Sequence, residues 1–145
     1  MQAYIPITKT PILLNFLQNL IALDKTLPFT EEIINDLYIT GRCTCNDSEC
    51  ATVDFKRELP WDGDVPREYF ANTTKGLIIF HLSQNGHMEM EAIMYDKYPY
   101  RNEIIRAFNS DFSKPSKKET LQLKKYFENV ALEELPTVIV NYQSP

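Results

Sequence analysis

The fold of this chain is decided by the stretch GLIIFHLSQNGHMEMEAIMY, residues 76–95. The runs 76–82 and 87–95 predict two strands, and they flank Asn85-Gly86, a pair typical of tight β-hairpin turns. If Gly86 occupies a left-handed bulge position, Leu82 lies opposite Met88 and Phe80 lies opposite Met90. One face of the hairpin is then wholly apolar, and the other face is polar, which favours this register over a one-residue slip. The predicted apolar face consists of Ile78, Phe80, Leu82, Met88, Met90, Ala92 and Met94.

Outward from this hairpin, alternating residues at 38–45 and 50–56 predict a second hairpin around a polar tip. The residues at 137–140 predict a last strand beside one of the hairpins, and the Pro- and Gly-punctuated segment 58–74 predicts a long loop. Thr10 and Thr30 are expected to be helix N-caps. A further short helix is expected at 101–108, and Ser116 with Glu119 forms the capping box of another. The sequence therefore predicts one α+β domain over residues 1–145, with an antiparallel sheet of about five strands packed against two to three helices.

Composition and charge narrow the class of function. The chain has 145 residues, a net charge of −5 and 43% hydrophobic residues, which is ordinary globular composition. An acidic protein meets nucleic-acid phosphates poorly and meets a basic protein well. We expect no membrane span, because no apolar run approaches the length that a bilayer requires. Three cysteines are an odd number, which argues against a secreted disulfide framework and favours a cytoplasmic location.

The most unusual local feature is the cluster Cys43, Cys45 and Cys50. Cys43 and Cys45 point to the same face of a strand, and a four-residue tip sets Cys45 nearly opposite Cys50. Three thiolates plus His81 or His87 would make a zinc site, for which our candidate set is Cys43, Cys45, Cys50 and His87. A Cys45–Cys50 disulfide and three reduced, buried thiols are the alternatives. Zinc is the one cofactor that the sequence suggests.

A second candidate is the pair formed by His81 and Glu89, which face each other on the polar side of the predicted hairpin. A histidine beside a carboxylate can act as a general base, although a solvated cross-strand ion pair is the simpler interpretation. The sequence supplies no nucleophile motif and no phosphate-binding glycine loop. We therefore expect a protein that is not an enzyme.

Two segments carry a resemblance. The chain resembles small, largely uncharacterised bacterial proteins in these two segments. The first runs from Gly41-Arg42-Cys43-Thr44-Cys45 to Cys50-Ala51-Thr52-Val53-Asp54-Phe55, and the second is the hairpin from Gly76 to Glu91. Those proteins pair a Cys-rich strand segment with a G-x-[LM]-x-x-[LM]-E-like hairpin. In type, though not by any motif, a small acidic chain of this kind also resembles bacterial immunity proteins, which bind and block a partner toxin.

The leading functional hypothesis is a binding protein that neutralises a bacterial toxin with a basic domain. The expected interface combines aromatic anchors with an acidic rim. Its residues are Trp61, Asp62, Asp64, Glu68, Tyr69 and Tyr98. The alternative is a small zinc-stabilised structural or regulatory domain that uses the cysteine cluster.

Overall fold

The structure, a computed structural model, describes residues 4–43, 50–94 and 97–133. It contains one antiparallel sheet with the strand order β1-β2-β3-β6-β5-β4, accompanied by four α-helices. The α+β class is therefore confirmed, with six strands rather than about five. The strands are β1 Ile5–Pro6, β2 Tyr38–Arg42, β3 Val53–Lys56, β4 Arg67–Thr73, β5 Gly76–Leu82 and β6 His87–Met94.

The central hairpin of β5 and β6 has the predicted register. Phe80 pairs with Met90, and Leu82 pairs with Met88. The turn places Gly86 at φ +77°, where a side chain would also meet the carbonyl oxygen of Arg57 at 2.5 Å. Glycine is therefore required here for both conformation and space. The described side chains of the predicted apolar face are all buried, namely Ile78, Phe80, Leu82, Met88, Met90 and Ala92.

The predicted second hairpin is formed by β2 and β3, with a bulge between Ile39 and Gly41. The predicted loop at 58–74 is partly wrong, because Arg67–Thr73 forms strand β4 and pairs along its whole length with β5. Strand β4 points Arg67 and Thr73 inward, so its inward positions do not form the apolar alternation that identifies a strand. The predicted strand at 137–140 lies outside the described residues.

The helices are α1 Pro11–Leu23, α2 Glu31–Asn35, α3 Arg101–Phe108 and α4 Lys117–Glu128. Their apolar stripes and the inward face of the sheet form one core. Phe16 of α1 is fully buried, and its ring contacts those of Tyr98, Tyr100 and Tyr126. None of the helices in the described part of the chain is long and apolar enough to cross a membrane.

Helix starts agree with the sequence at α2 and α4 and differ at α1. The Thr30 hydroxyl accepts from the Ile33 amide, and the Ser116–Glu119 capping box is present. Thr10, the predicted cap of α1, instead donates its hydroxyl to the Ile7 carbonyl. The Glu103 carboxylate of α3 takes the capping role, because its two oxygens accept the amides of Ile12 and Leu13, each at 2.9 Å.

Candidate functional site

The second face of the sheet stays outside the core and carries a row of ionisable side chains. Asp54 of β3 pairs with Glu89 of β6, Glu89 pairs with His81 of β5, and His81 pairs with Glu68 of β4. These four residues therefore lie side by side across four adjacent strands. Glu91 lies two residues along β6 on the same face. We call Asp54, Glu68, His81, Glu89 and Glu91 the acidic row.

His81 is held between two carboxylates. Its Nδ1 lies 2.5 Å from Glu68 Oε2, and its Nε2 lies 3.0 Å from Glu91 Oε1. Because an ionised carboxylate can only accept, these two contacts suit the imidazolium form, in which both ring nitrogens donate. In that form the ring has no lone pair left to accept a proton. The geometry thus favours charge pairing over the general-base role considered for His81 and Glu89.

The electrostatic surroundings favour the charged form of His81. Partial burial lowers the pKa of His81. The hydrogen bond to Glu91 and the negative charges of Glu68, Glu91 and Glu89 together outweigh this effect. The net result is a pKa above the ordinary histidine value. The row as a whole remains negative, because four carboxylates surround one imidazolium.

Asp54 and Glu89 place two carboxylates at directly opposite positions of neighbouring strands. Like charges in such positions generally repel. Burial raises the pKa of Asp54, while the nearby His87 lowers it without cancelling that effect. Glu89 accepts no hydrogen bond from any residue that the structure describes, and it is exposed. These carboxylates are therefore available to a cation supplied from outside.

An apolar strip borders the acidic row. Ile79 of β5 pairs with both Phe70 and Glu91, and the next position pairs Leu77 with Ile93. Phe70 and Ile93 are 38% and 42% exposed, which is high for side chains of this size on a sheet. The open face therefore combines contiguous apolar surface with negative charge, as protein interfaces do.

Two of the predicted interface anchors are buried. Trp61 is 8% exposed, donates its indole N–H to the His87 carbonyl at 2.8 Å, and packs its ring edge-on against Phe29. Tyr98 is 4% exposed and packs on Phe16. Neither aromatic ring offers a surface to a partner, so both are removed from the interface. The sequence analysis assigned Trp61 and Tyr98 to the interface because residue type alone does not distinguish an aromatic ring in the core from one on the surface.

The other predicted interface residues are distributed over two surfaces. Glu68 lies in the acidic row, and Tyr69 is half-buried on the opposite face of β4, where the Arg67 guanidinium lies over its ring. Asp62 and Asp64 are exposed in the loop before β4. The structure thus brings only Glu68 of this predicted set into the open face. Glu91 lies on the polar face that the predicted β5–β6 register defines, although it was not chosen as a site residue. Phe70 of the apolar strip was missed, because its position depends on pairing between β4 and β5 that the sequence did not indicate.

The described cysteines do not form the predicted zinc site with a histidine. Cys43 and Cys50 are half-buried, and Cys45 lies outside the described residues. The Cys43 amide bonds to Thr52, whereas His87 pairs with Lys56, which is about 13 Å further along β3. His81 is three strands away from Cys43, about 14 Å. Neither histidine can share a zinc ion with Cys43 at these separations.

Comparison with protein-family models, curated proteins and solved structures finds no match. The open sheet face presents a negatively charged, partly apolar surface, on which Glu89 accepts no hydrogen bond from the described residues.

Proposed function

We propose that this chain is a non-enzymatic binding protein whose open sheet face receives a basic segment of a protein partner. The observation that carries the proposal is the direct pairing of Asp54 with Glu89 on a sheet face that the described helices leave open. A lysine or arginine of the partner that lies between these two carboxylates would form charge-assisted hydrogen bonds with both. The chain's net charge of −5 adds long-range attraction for the same kind of partner.

The apolar strip supports a protein partner over a small cation alone. Phe70, Ile79 and Ile93 give the apolar centre, and Glu68, Glu89 and Glu91 give a charged border. Buried apolar surface supplies affinity in such an interface, while the charged groups set orientation and association rate. A partner that carries a basic residue next to an apolar one fits this surface.

Within this class we propose the role of an immunity protein, acting in the cytoplasm on a toxin with a basic domain. The support is a general similarity to such proteins, because this is a small, acidic chain with one open, negatively charged sheet face. Proteins that neutralise a partner by binding need surface complementarity and no catalytic group. The gene beside this one is the first candidate for the partner's source.

The test uses charge reversal on the open face. Wild-type protein, a Glu89→Lys/Glu91→Lys variant and a control Glu32→Lys/Glu128→Lys variant are immobilised, and partners are captured from the native host. The control has the same net charge, and its two glutamates are exposed on α2 and α4. We expect one basic protein to be retained by wild type and control and lost from the open-face variant.

Calorimetry with the recombinant partner then measures stoichiometry and salt dependence. We expect a one-to-one complex whose affinity falls as salt rises. Equal capture by the open-face variant and the control would contradict the proposed surface. A partner that is acidic, or binding lost instead in an Asp62→Asn/Asp64→Asn variant, would place the interface elsewhere.

A further inference from the structure

We propose that His81, Glu89 and Glu91 form a site for a divalent transition-metal ion of the zinc class, with Glu68 orienting the histidine. One ligand atom from each of the three residues lies within 4.8 Å of those of the other two. Zinc bonds of 2.0–2.2 Å in tetrahedral geometry place ligand atoms about 3.3 Å apart. The His81–Glu91 distance of 3.0 Å is already close to this value. Rotation of the exposed Glu89 side chain would bring in the third ligand.

The donor set decides the class of metal. One imidazole nitrogen and two carboxylate oxygens suit Zn²⁺, whereas Mg²⁺ and Ca²⁺ select oxygen ligands alone. Three protein ligands leave the remaining position to water, on a face that is open to solvent. The ion takes the place of the proton on His81 Nε2, so it supplies two positive charges where one was present.

Glu68 distinguishes this cluster from a group of acidic residues that happen to lie together. It holds His81 Nδ1 at 2.5 Å, on the side of the ring opposite Glu91. A carboxylate that accepts from the distal nitrogen of a metal-binding histidine fixes the ring orientation and strengthens the ligand. Here the strand pairing of Glu68 with His81 builds this support into the sheet. Glu68 is thus a positioning residue, and Nε2 is the nitrogen left for the metal.

The site uses none of the cysteines, and it shares Glu89 and Glu91 with the surface proposed for the protein partner. Metal binding is therefore measured on the isolated protein, where its failure would leave the partner proposal standing. The test of the metal site uses a Cys43→Ser/Cys45→Ser/Cys50→Ser background, in which thiolates cannot bind the ion. Calorimetry with zinc chloride measures affinity, and the visible absorption of bound Co²⁺ reports tetrahedral coordination. His87→Gln is the matched control, because it removes the other histidine of the chain, which is exposed at the end of β6.

We expect one zinc ion per chain, unchanged affinity in His87→Gln, and at least tenfold weaker binding in Glu89→Gln and Glu91→Gln. Glu89 is exposed, so Glu89→Gln leaves the core unchanged and this variant folds even if others do not. Glu68→Gln should weaken binding about tenfold while keeping the tetrahedral Co²⁺ spectrum. A dissociation constant above about 1 mM, or equal affinities in wild type and Glu91→Gln, would overturn the site. Unchanged affinity in Glu68→Gln would overturn its positioning role.

Discussion

This protein has one group of carboxylates in its interior and another on the open sheet face, and the two groups differ in the source of their hydrogen-bond donors. In the interior, Glu103 accepts two backbone amides of α1, and Glu119 accepts the Arg106 guanidinium and the Ser116 amide. Every carboxylate oxygen of this interior pair has a donor from the chain itself. On the open face, the acidic row has one imidazolium for four carboxylates. The interior carboxylates therefore stabilise the fold, whereas those of the acidic row are available to a cation from outside the chain.

The largest expected effect comes from removing an interior carboxylate. Glu103→Ala leaves the buried amides of Ile12 and Leu13 without an acceptor at the start of α1. We expect the free energy of unfolding to fall by about 2–3 kcal/mol. Urea denaturation followed by circular dichroism measures this change.

The control for this substitution is Glu89→Ala, which removes a carboxylate of the acidic row. We expect it to leave the free energy of unfolding within about 0.5 kcal/mol of wild type. If both alanine variants lost the same free energy, the division into structural and available carboxylates would be wrong.

The contributions of Glu103 and Glu119 to the free energy of unfolding should change with pH in opposite directions. Burial raises the pKa of Glu103 above its ordinary value, and its bonds to Ile12 and Leu13 only partly offset this. Folding therefore favours the protonated form, and this contribution to stability is full below the unfolded-state pKa and is lost as pH rises through the folded-state pKa. Partial burial also raises the pKa of Glu119, but Arg106 and Ser116 outweigh it and the pKa is lowered. Its contribution is present above the unfolded-state pKa and is lost as pH falls through the folded-state pKa.

Unfolding measured from pH 3 to pH 7 in Glu103→Gln and Glu119→Gln tests these signs. Relative to wild type, the stability deficit of Glu103→Gln should grow as pH falls, and that of Glu119→Gln should shrink. Parallel pH profiles for the two variants would show that the two carboxylates do not differ in this way.

The same contrast explains how much the sequence could predict. The β5–β6 register followed from local alternation around Asn85-Gly86, and the Ser116–Glu119 capping box followed from a three-residue spacing. Both signals are contained in a few neighbouring residues. The Glu103 cap joins residues about 90 positions apart, so no local pattern indicates it.

The candidate site was predictable only in part for the same reason. The pairing of His81 with Glu89 came from the register of one hairpin. Glu68 and Phe70 belong to the open face only through strand β4. That strand lacks a clear alternation of apolar and polar residues, because Arg67 and Thr73 occupy inward positions. Sequence reasoning therefore paired His81 with Glu89 and assigned Glu68 to the interface, but it did not place Glu68 beside His81.

The smallest expected effect concerns the balance of charges around Glu89. Glu89→Gln removes a charge that lies directly opposite both Asp54 and His81 while keeping the size of the side chain. Loss of the like charge favours folding and loss of the pairing with His81 disfavours it, so we expect the free energy of unfolding to stay within about 0.5 kcal/mol of wild type. Urea denaturation at low salt and in about 1 M salt, where exposed charges are screened within about 3 Å, measures it, with Glu128→Gln on α4 as the control. A loss of more than about 1 kcal/mol that disappears in high salt would mean that the folded chain already uses the charge of Glu89, and this charge would then not be available to either proposed ligand.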